Sequence, residues 1–207
     1  MIDIFLSVFI PLLIIVNPSS TVALFSAITA NYSKKERRKT AKSTVIYATI
    51  LLLIFAFAGS GILSFLGIQI YSLRIAGGIL LSYIGLDMLR RGQQFGESHP
   101  GEDHKADFSL VPLAMPSLAG PGAITVTIVS MQTLEVSWII RIIFVIIAII
   151  LTMIITYIIL SSSEIAIRIL GKKGMDAFTR VMGLLTVAIA VQFVLTGITS
   201  WIQTLNL

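Results

Sequence analysis

The chain has 207 residues, of which 56% are hydrophobic and only 12% charged, with a net charge of +5 and no cysteine. A water-soluble domain carries about 25% charged residues, so a chain with this few cannot present a solvated surface all round. Lipid must be the solvent for most of it. The missing cysteines exclude disulfides, thiolate nucleophiles and Cys-ligated metal sites. The basic residues gather between apolar runs, which reads as a membrane-topology signal and not as a nucleic-acid surface.

A helix needs roughly 20 predominantly apolar residues to cross a bilayer. In chain order, six segments meet that requirement: 4–29, 40–66, 71–90, 109–131, 138–161 and 179–200. The predicted fold is an all-α membrane protein of six transmembrane helices. The first segment has the length of a signal peptide, but it lacks a basic n-region and carries Asp3, so a retained helix is expected. The connecting segments alternate in charge. Lys34, Lys35, Arg37, Arg38, Lys39 and Lys42 fall on one side of the membrane, as do Arg90, Arg91, Lys105, Arg168, Lys172, Lys173 and Arg180. Only Arg74 and Arg141 fall on the other. Positive residues are retained in the cytoplasm, which predicts a multi-pass protein with both termini outside it. The run at 34–42 reads as a solvated turn with lipid-headgroup contacts.

The polar segment 92–108 contains Gly92, Gly96, Pro100 and Gly101 and reads as a cytoplasmic linker between a first three-helix repeat (1–91) and a second (109–207). His99 and His104 lie beside Glu102 and Asp103, but such residues in a Gly- and Pro-rich loop are read as simply hydrated. No metal or cofactor is predicted.

The two halves carry matched blocks in the same order, about a hundred residues apart. Leu73-Arg74-Ile75-Ala76-Gly77-Gly78-Ile79 parallels Thr179-Arg180-Val181-Met182-Gly183-Leu184-Leu185, and each follows a Leu-Gly pair, Leu66-Gly67 or Leu170-Gly171. Asn17-Pro18-Ser19-Ser20-Thr21-Val22-Ala23 parallels Gly120-Pro121-Gly122-Ala123-Ile124-Thr125-Val126. Each half has three spans, an odd number, so the second half must be inverted in the membrane relative to the first. Inverted repeats are a common plan for secondary transporters. The competing explanation is an old duplication kept only for packing.

Five of the six prolines, Pro11, Pro18, Pro112, Pro116 and Pro121, fall in the first and fourth spans. Proline removes an amide donor and clashes with the carbonyl four residues back, and flanking glycines weaken a helix further. Helices 1 and 4 are therefore predicted to be discontinuous at Asn17-Pro18 and Gly120-Pro121. In lipid such breaks are tolerated where they face protein or a polar cavity. A helix starting after each break points free amides and a partial positive charge at it, which suits a carboxylate. The preceding carbonyls suit an ammonium group. The two breaks thus make a candidate zwitterion site of Asn17, Pro18, Ser19, Ser20, Thr21, Ser117, Ala119, Gly120, Pro121, Gly122, Ala123 and Thr125. The small residues at 119–123 allow close approach of backbone to ligand.

No Asp, Glu, His or Lys falls at mid-membrane, where a proton relay usually needs one. Asp87 and Glu164 lie near span ends, within a helical turn of Arg90, Arg91 and Arg168. Gln192 and Tyr47 are polar residues suited either to lining a cavity or to helix–helix hydrogen bonding. Gly78 and Ser82 have the small-xxx-small spacing of close helix contacts. No paired carboxylates, His-rich metal set or nucleophile–base spacing occurs in the spans, so an enzyme is not expected.

Several blocks together resemble the MarC/SnatA family. They are Asn17-Pro18 with Thr21-Val22-Ala23-Leu24-Phe25, Leu73-Arg74-Ile75-Ala76-Gly77-Gly78, and Val111-Pro112-Leu113-Ala114-Met115-Pro116-Ser117 with Ala119-Gly120-Pro121-Gly122. Arg180 with Met182-Gly183 resembles its last helix. The resemblance covers nearly the whole chain. It implies a six-helix inner-membrane protein, with some members transporting small neutral amino acids such as glycine and alanine and depending on a proton gradient. Carried over by motif, it places unwound segments at 17–21 and 119–123. The expected partners are small neutral amino acids and the lipid bilayer, with proton coupling implied by the resemblance and no nucleic acid. A non-transporting membrane subunit is the competing class.

Overall fold

The computed structural model describes residues 1–29, 31–91, 118–134 and 136–205; inside the helices it leaves undescribed the side chains of Ala23, Ala27, Arg91, residues 164–168, Leu170 and Lys172. Every regular element among the described residues is an α-helix: α1 Ile2–Val16, α2 Pro18–Ile28, α3 Lys34–Phe65, α4 Ile70–Arg91, α5 Pro121–Thr133, α6 Trp138–Ser161 and α7 Ser163–Thr204. Among them, five stretches are long and apolar enough to cross a membrane: Ile2–Ser26, Lys34–Phe65, Ile70–Arg90, Trp138–Ser161 and Lys173–Thr204. The remaining expected span, 109–131, is described only from Leu118 onward. The linker 92–108 with His99 and His104, the prolines Pro112 and Pro116, and Ser117 lie outside the described residues.

Two helices extend beyond the apolar segments that announce them. The basic run at 34–42 is not a turn but the first turns of α3, started by a capping box: the Glu36 amide donates to Ser33 Oγ at 3.4 Å and the Ser33 amide to Glu36 Oε2 at 2.8 Å. Reciprocal satisfaction of two orphan amides is what allows a helix to start in water. Likewise α7 begins at Ser163, sixteen positions before the apolar segment, and continues through a kink at Gly171 (φ 63°, ψ 173°). Only glycine takes that conformation readily.

α5 sits at the centre of the bundle. Gly122, Ala123 and all of 125–130 are buried, so this helix meets protein on nearly every side. The outer helices instead carry large exposed apolar groups, among them Phe57 on α3, Tyr83 on α4, Ile139 on α6 and Leu184 on α7. So many exposed apolar side chains fit a lipid-facing exterior. α4 and α7 pack antiparallel at backbone contact. A methyl group at Gly85 would lie 2.8 Å from the Gly183 carbonyl oxygen, and one at Gly78 would lie 2.7 Å from that of Ala190. α3 meets α5 where Gly59 abuts Ile128, and α1 meets α6 through an edge-to-face Phe5–Phe144 pair with centroids 5.9 Å apart.

The far end of α5 is held by one side chain. Arg141, from the first turn of α6, donates to the carbonyls of Leu134 at 2.6 Å, Met131 at 3.2 Å, and Gln132 and Val136 at 3.4 Å. The last carbonyls of a helix have no intrahelical donor, and here a guanidinium supplies one.

Candidate functional site: two helix starts beside one wall

α1 stops where Asn17 turns into the left-handed region (φ 43°, ψ 72°), its amide still donating to the Leu13 carbonyl at 3.1 Å. Asn17 is the only non-glycine residue with positive φ among the described residues. Asparagine tolerates this region better than most side chains because its short amide can bond locally. Pro18 then occupies the first position of α2, where a missing N–H costs nothing and φ is already helical.

Around Asn17 the polar groups satisfy one another. Ser19 Oγ donates to Asn17 Oδ1 at 2.6 Å, and the Ser20 hydroxyl and amide donate to the Asn17 carbonyl at 3.0 and 3.2 Å. Asn17 Nδ2 reaches across to Met88 Sδ on α4 at 3.9 Å. Asn17, Ser19, Ser20 and Thr21 are all buried.

α5 starts differently. Its N-cap, Gly120, has extended backbone (φ −71°, ψ 170°) and no side chain with which to cap, and Pro121 takes the first helical position. The Gly120 carbonyl accepts from the Ile124 amide at 3.0 Å, and Thr125 Oγ1 donates to the Pro121 carbonyl at 2.9 Å. No side-chain oxygen among the described residues is seen to cap the first-turn amides, to which Gly122 and Ala123 contribute. Ala119, Gly122, Ala123 and Thr125 are buried, Gly120 is half-buried and Pro121 is exposed.

The two starts share a wall. A methyl at Gly122 would collide with Leu81 Cδ2 of α4 and lie 3.1 Å from Ile15 Cγ2, two residues before Asn17. Leu81, Gly85 and Met88 follow one face of α4, and Met88 is the residue that Asn17 touches. The structure therefore brings Asn17 and Gly122 to the same stripe of α4. Ser117 alone of the expected site residues lies outside the description.

A cavity of about 160 Å³ opens toward the other end of α1 and α5, lined by Ser7, Pro11, Arg74, Ser130, Gln192 and Thr196 among others. Gln192 is legible in the sequence as a cavity-lining candidate. Arg74 reads there only as a topology signal, although a cation inside the span-forming helix Ile70–Arg90 is itself a signal of function.

A family model described as "MarC family integral membrane protein" matches residues 2–202. The chain belongs to the MarC family. A UPF0056 membrane protein of Methanocaldococcus jannaschii is 46% identical over 198 residues, covering 94% of this chain and 95% of that protein. The UPF0056 inner membrane protein MarC of Escherichia coli is 34% identical over 224 residues, covering 99% of both chains. A UPF0056 membrane protein of Buchnera aphidicola is 38% identical over 201 residues, with 95% and 92% covered. No solved structure matches the chain. As a MarC-family chain it is an integral membrane protein, in agreement with its five apolar helices and its exposed apolar faces.

Proposed function

We propose that this MarC-family chain is a secondary transporter, an exporter or exchanger, of small neutral amino acids such as glycine, alanine or threonine. The zwitterion binds between the starts of α2 and α5, and the chain sits in the inner membrane with both termini outside the cytoplasm. The observation that carries this reading is the start of α5: a buried helix beginning at Gly120-Pro121, with no side-chain cap on its first-turn amides among the described residues, beside the αL turn at Asn17. Those amides and the helix dipole favour a carboxylate. The last carbonyls of α1 face the same break and suit an ammonium group.

The packing supports two halves related by inversion. If α1 with α2 corresponds to α5, α3 to α6 and α4 to α7, each of α1, α3 and α4 touches its own counterpart, and the contacts of α1 with α6 and of α3 with α5 exchange with one another. The antiparallel α4–α7 seam is the arrangement an inverted pair produces. Such a pair can rock about a central site to expose it on either face. Proton dependence is part of the family resemblance, yet no acidic side chain falls at mid-span, so any coupling would have to act through backbone or solvent groups.

Purified protein in liposomes should accumulate labelled glycine, alanine or threonine by counterflow, with a dependence on an imposed pH gradient if protons are coupled. Flux equal to that of empty liposomes for all three would end the reading. It would favour a transporter of another small solute or a non-transporting subunit.

A further inference from the structure

Arg74 is the fifth residue of α4 and half-buried, and it makes no hydrogen bond or ion pair with any described residue. Neither local structure nor packing accounts for it. A cation near a helix N-terminus opposes the dipole, and a guanidinium inside a membrane-spanning element costs several kcal/mol unless something pairs with it. The chain's two comparable arginines show what structural use looks like. Arg141 closes the end of α5 through four carbonyls. Arg180, the counterpart of Arg74 in the matched block, donates to Asp176 at 2.9 Å and to the Leu89 carbonyl at 2.7 Å. The position equivalent to Asp176 in the first half is Ile70, so Arg74 lacks the acid one turn back that its counterpart uses.

Arg74 instead lines the cavity between α1, α4, α5 and α7. Ser130 of α5 lines the same cavity, a buried residue whose hydroxyl also has no partner among the described residues. Thr133 and Thr196 spend their hydroxyl protons on carbonyls of their own helices. Among the described residues, that leaves Arg74 and Ser130 as the cavity's donors with nothing to donate to. No described carboxylate lines the cavity. Its volume of about 160 Å³ is roughly half the ~300 Å³ at which drug-sized pockets begin, so the occupant must be small.

From this geometry we infer that Arg74 and Ser130 form an anion site for a small monocarboxylate, separate from the two helix starts. Arg74 is 14 residues, about four helical turns, from Met88, which touches Asn17, and Ser130 is about two turns beyond Gly122. On the transport reading, which this inference extends, the site receives the amino acid's carboxylate before it reaches the α5 amides. A guanidinium offers paired donors to a carboxylate, and Ser130 adds a third.

The test is acetate binding to the detergent-solubilised protein, followed by thermal unfolding at constant ionic strength balanced with gluconate, a much bulkier carboxylate. Acetate should raise the unfolding temperature saturably. Arg74→Gln should weaken that response at least tenfold, Arg74→Lys should keep it in reduced form, and Arg180→Gln should leave it intact. The absence of any acetate response in the wild type would overturn the site, and so would a response unchanged in Arg74→Gln. The wild-type titration stands even if a variant does not fold. Acetate binding without amino acid flux would leave this site standing and remove the transport reading. Flux without acetate binding would do the reverse.

Discussion

The starts of α2 and α5 fall at matched positions in the two halves and both place proline first, yet they are built from opposite materials. At α2 the turn is made by a side chain: Asn17 accepts the strained φ, and its amide and carbonyl oxygens take the protons of Ser19 and Ser20. At α5 it is made by the absence of one, with Gly120 unstrained and uncapped. A self-satisfied network is rigid and has little left to offer a ligand. A bare helix start keeps its donors. The difference suggests a division of labour in which the Asn17 turn fixes the geometry and the α5 start does the binding.

Three substitutions would break or sharpen this contrast. The largest expected effect lies at the opposite end of α5. Replacing Arg141 with Met removes all four carbonyl contacts and should lower stability by about 3 kcal/mol, since a hydrogen bond to a charged group contributes about 1.5–3 kcal/mol and the four are not additive. Thermal unfolding in detergent measures it, and an unchanged midpoint would mean α5 is positioned by packing alone. Next, Asn17→Ala should cost about 2 kcal/mol, from the left-handed backbone and the lost hydrogen bond from Ser19 Oγ together. Smallest is Asn17→Gly, which keeps the backbone conformation, loses only the hydrogen bond from Ser19 Oγ and should cost about 1 kcal/mol. Equal losses for Ala and Gly would show that Asn17 is not there for its φ.

Most of the helical layout is legible in the sequence, because a span must be apolar over a fixed length whatever its neighbours do. The segment 138–161 coincides with α6, and 71–90 with α4 to within a residue at each end. Hydropathy fails where helix continues into water. It reports the solvent around a residue and not its backbone, so the basic start of α3 and the polar start of α7 read as connections. The Ser33–Glu36 capping box was the available signal for the first. Gly171 conceals the second, since a glycine followed by a lysine pair looks like a terminus and is here a kink. The sequence also points to Asn17 and Gly120 as sites of irregular backbone, through proline and glycine. It could not reveal that the Asn17 network would consume its own hydroxyls, nor that Arg74 would face a cavity while Arg141 and Arg180 found partners. Those outcomes depend on which helices meet, and pairing is not written in any single segment.

The most direct measurement of the proposed division of labour is glycine counterflow in liposomes with Gly120→Asp, run beside its thermal unfolding. Gly120 has extended backbone open to any residue, and an aspartate there would cap α5 while placing a negative charge where the substrate carboxylate is proposed to sit. Like charges in contact cost several kcal/mol, enough to cut flux more than about 100-fold, while the new cap should leave stability the same or a few tenths of a kcal/mol higher. A folded, stable and silent variant is the predicted result. A folded variant that moves glycine as fast as the wild type would contradict it.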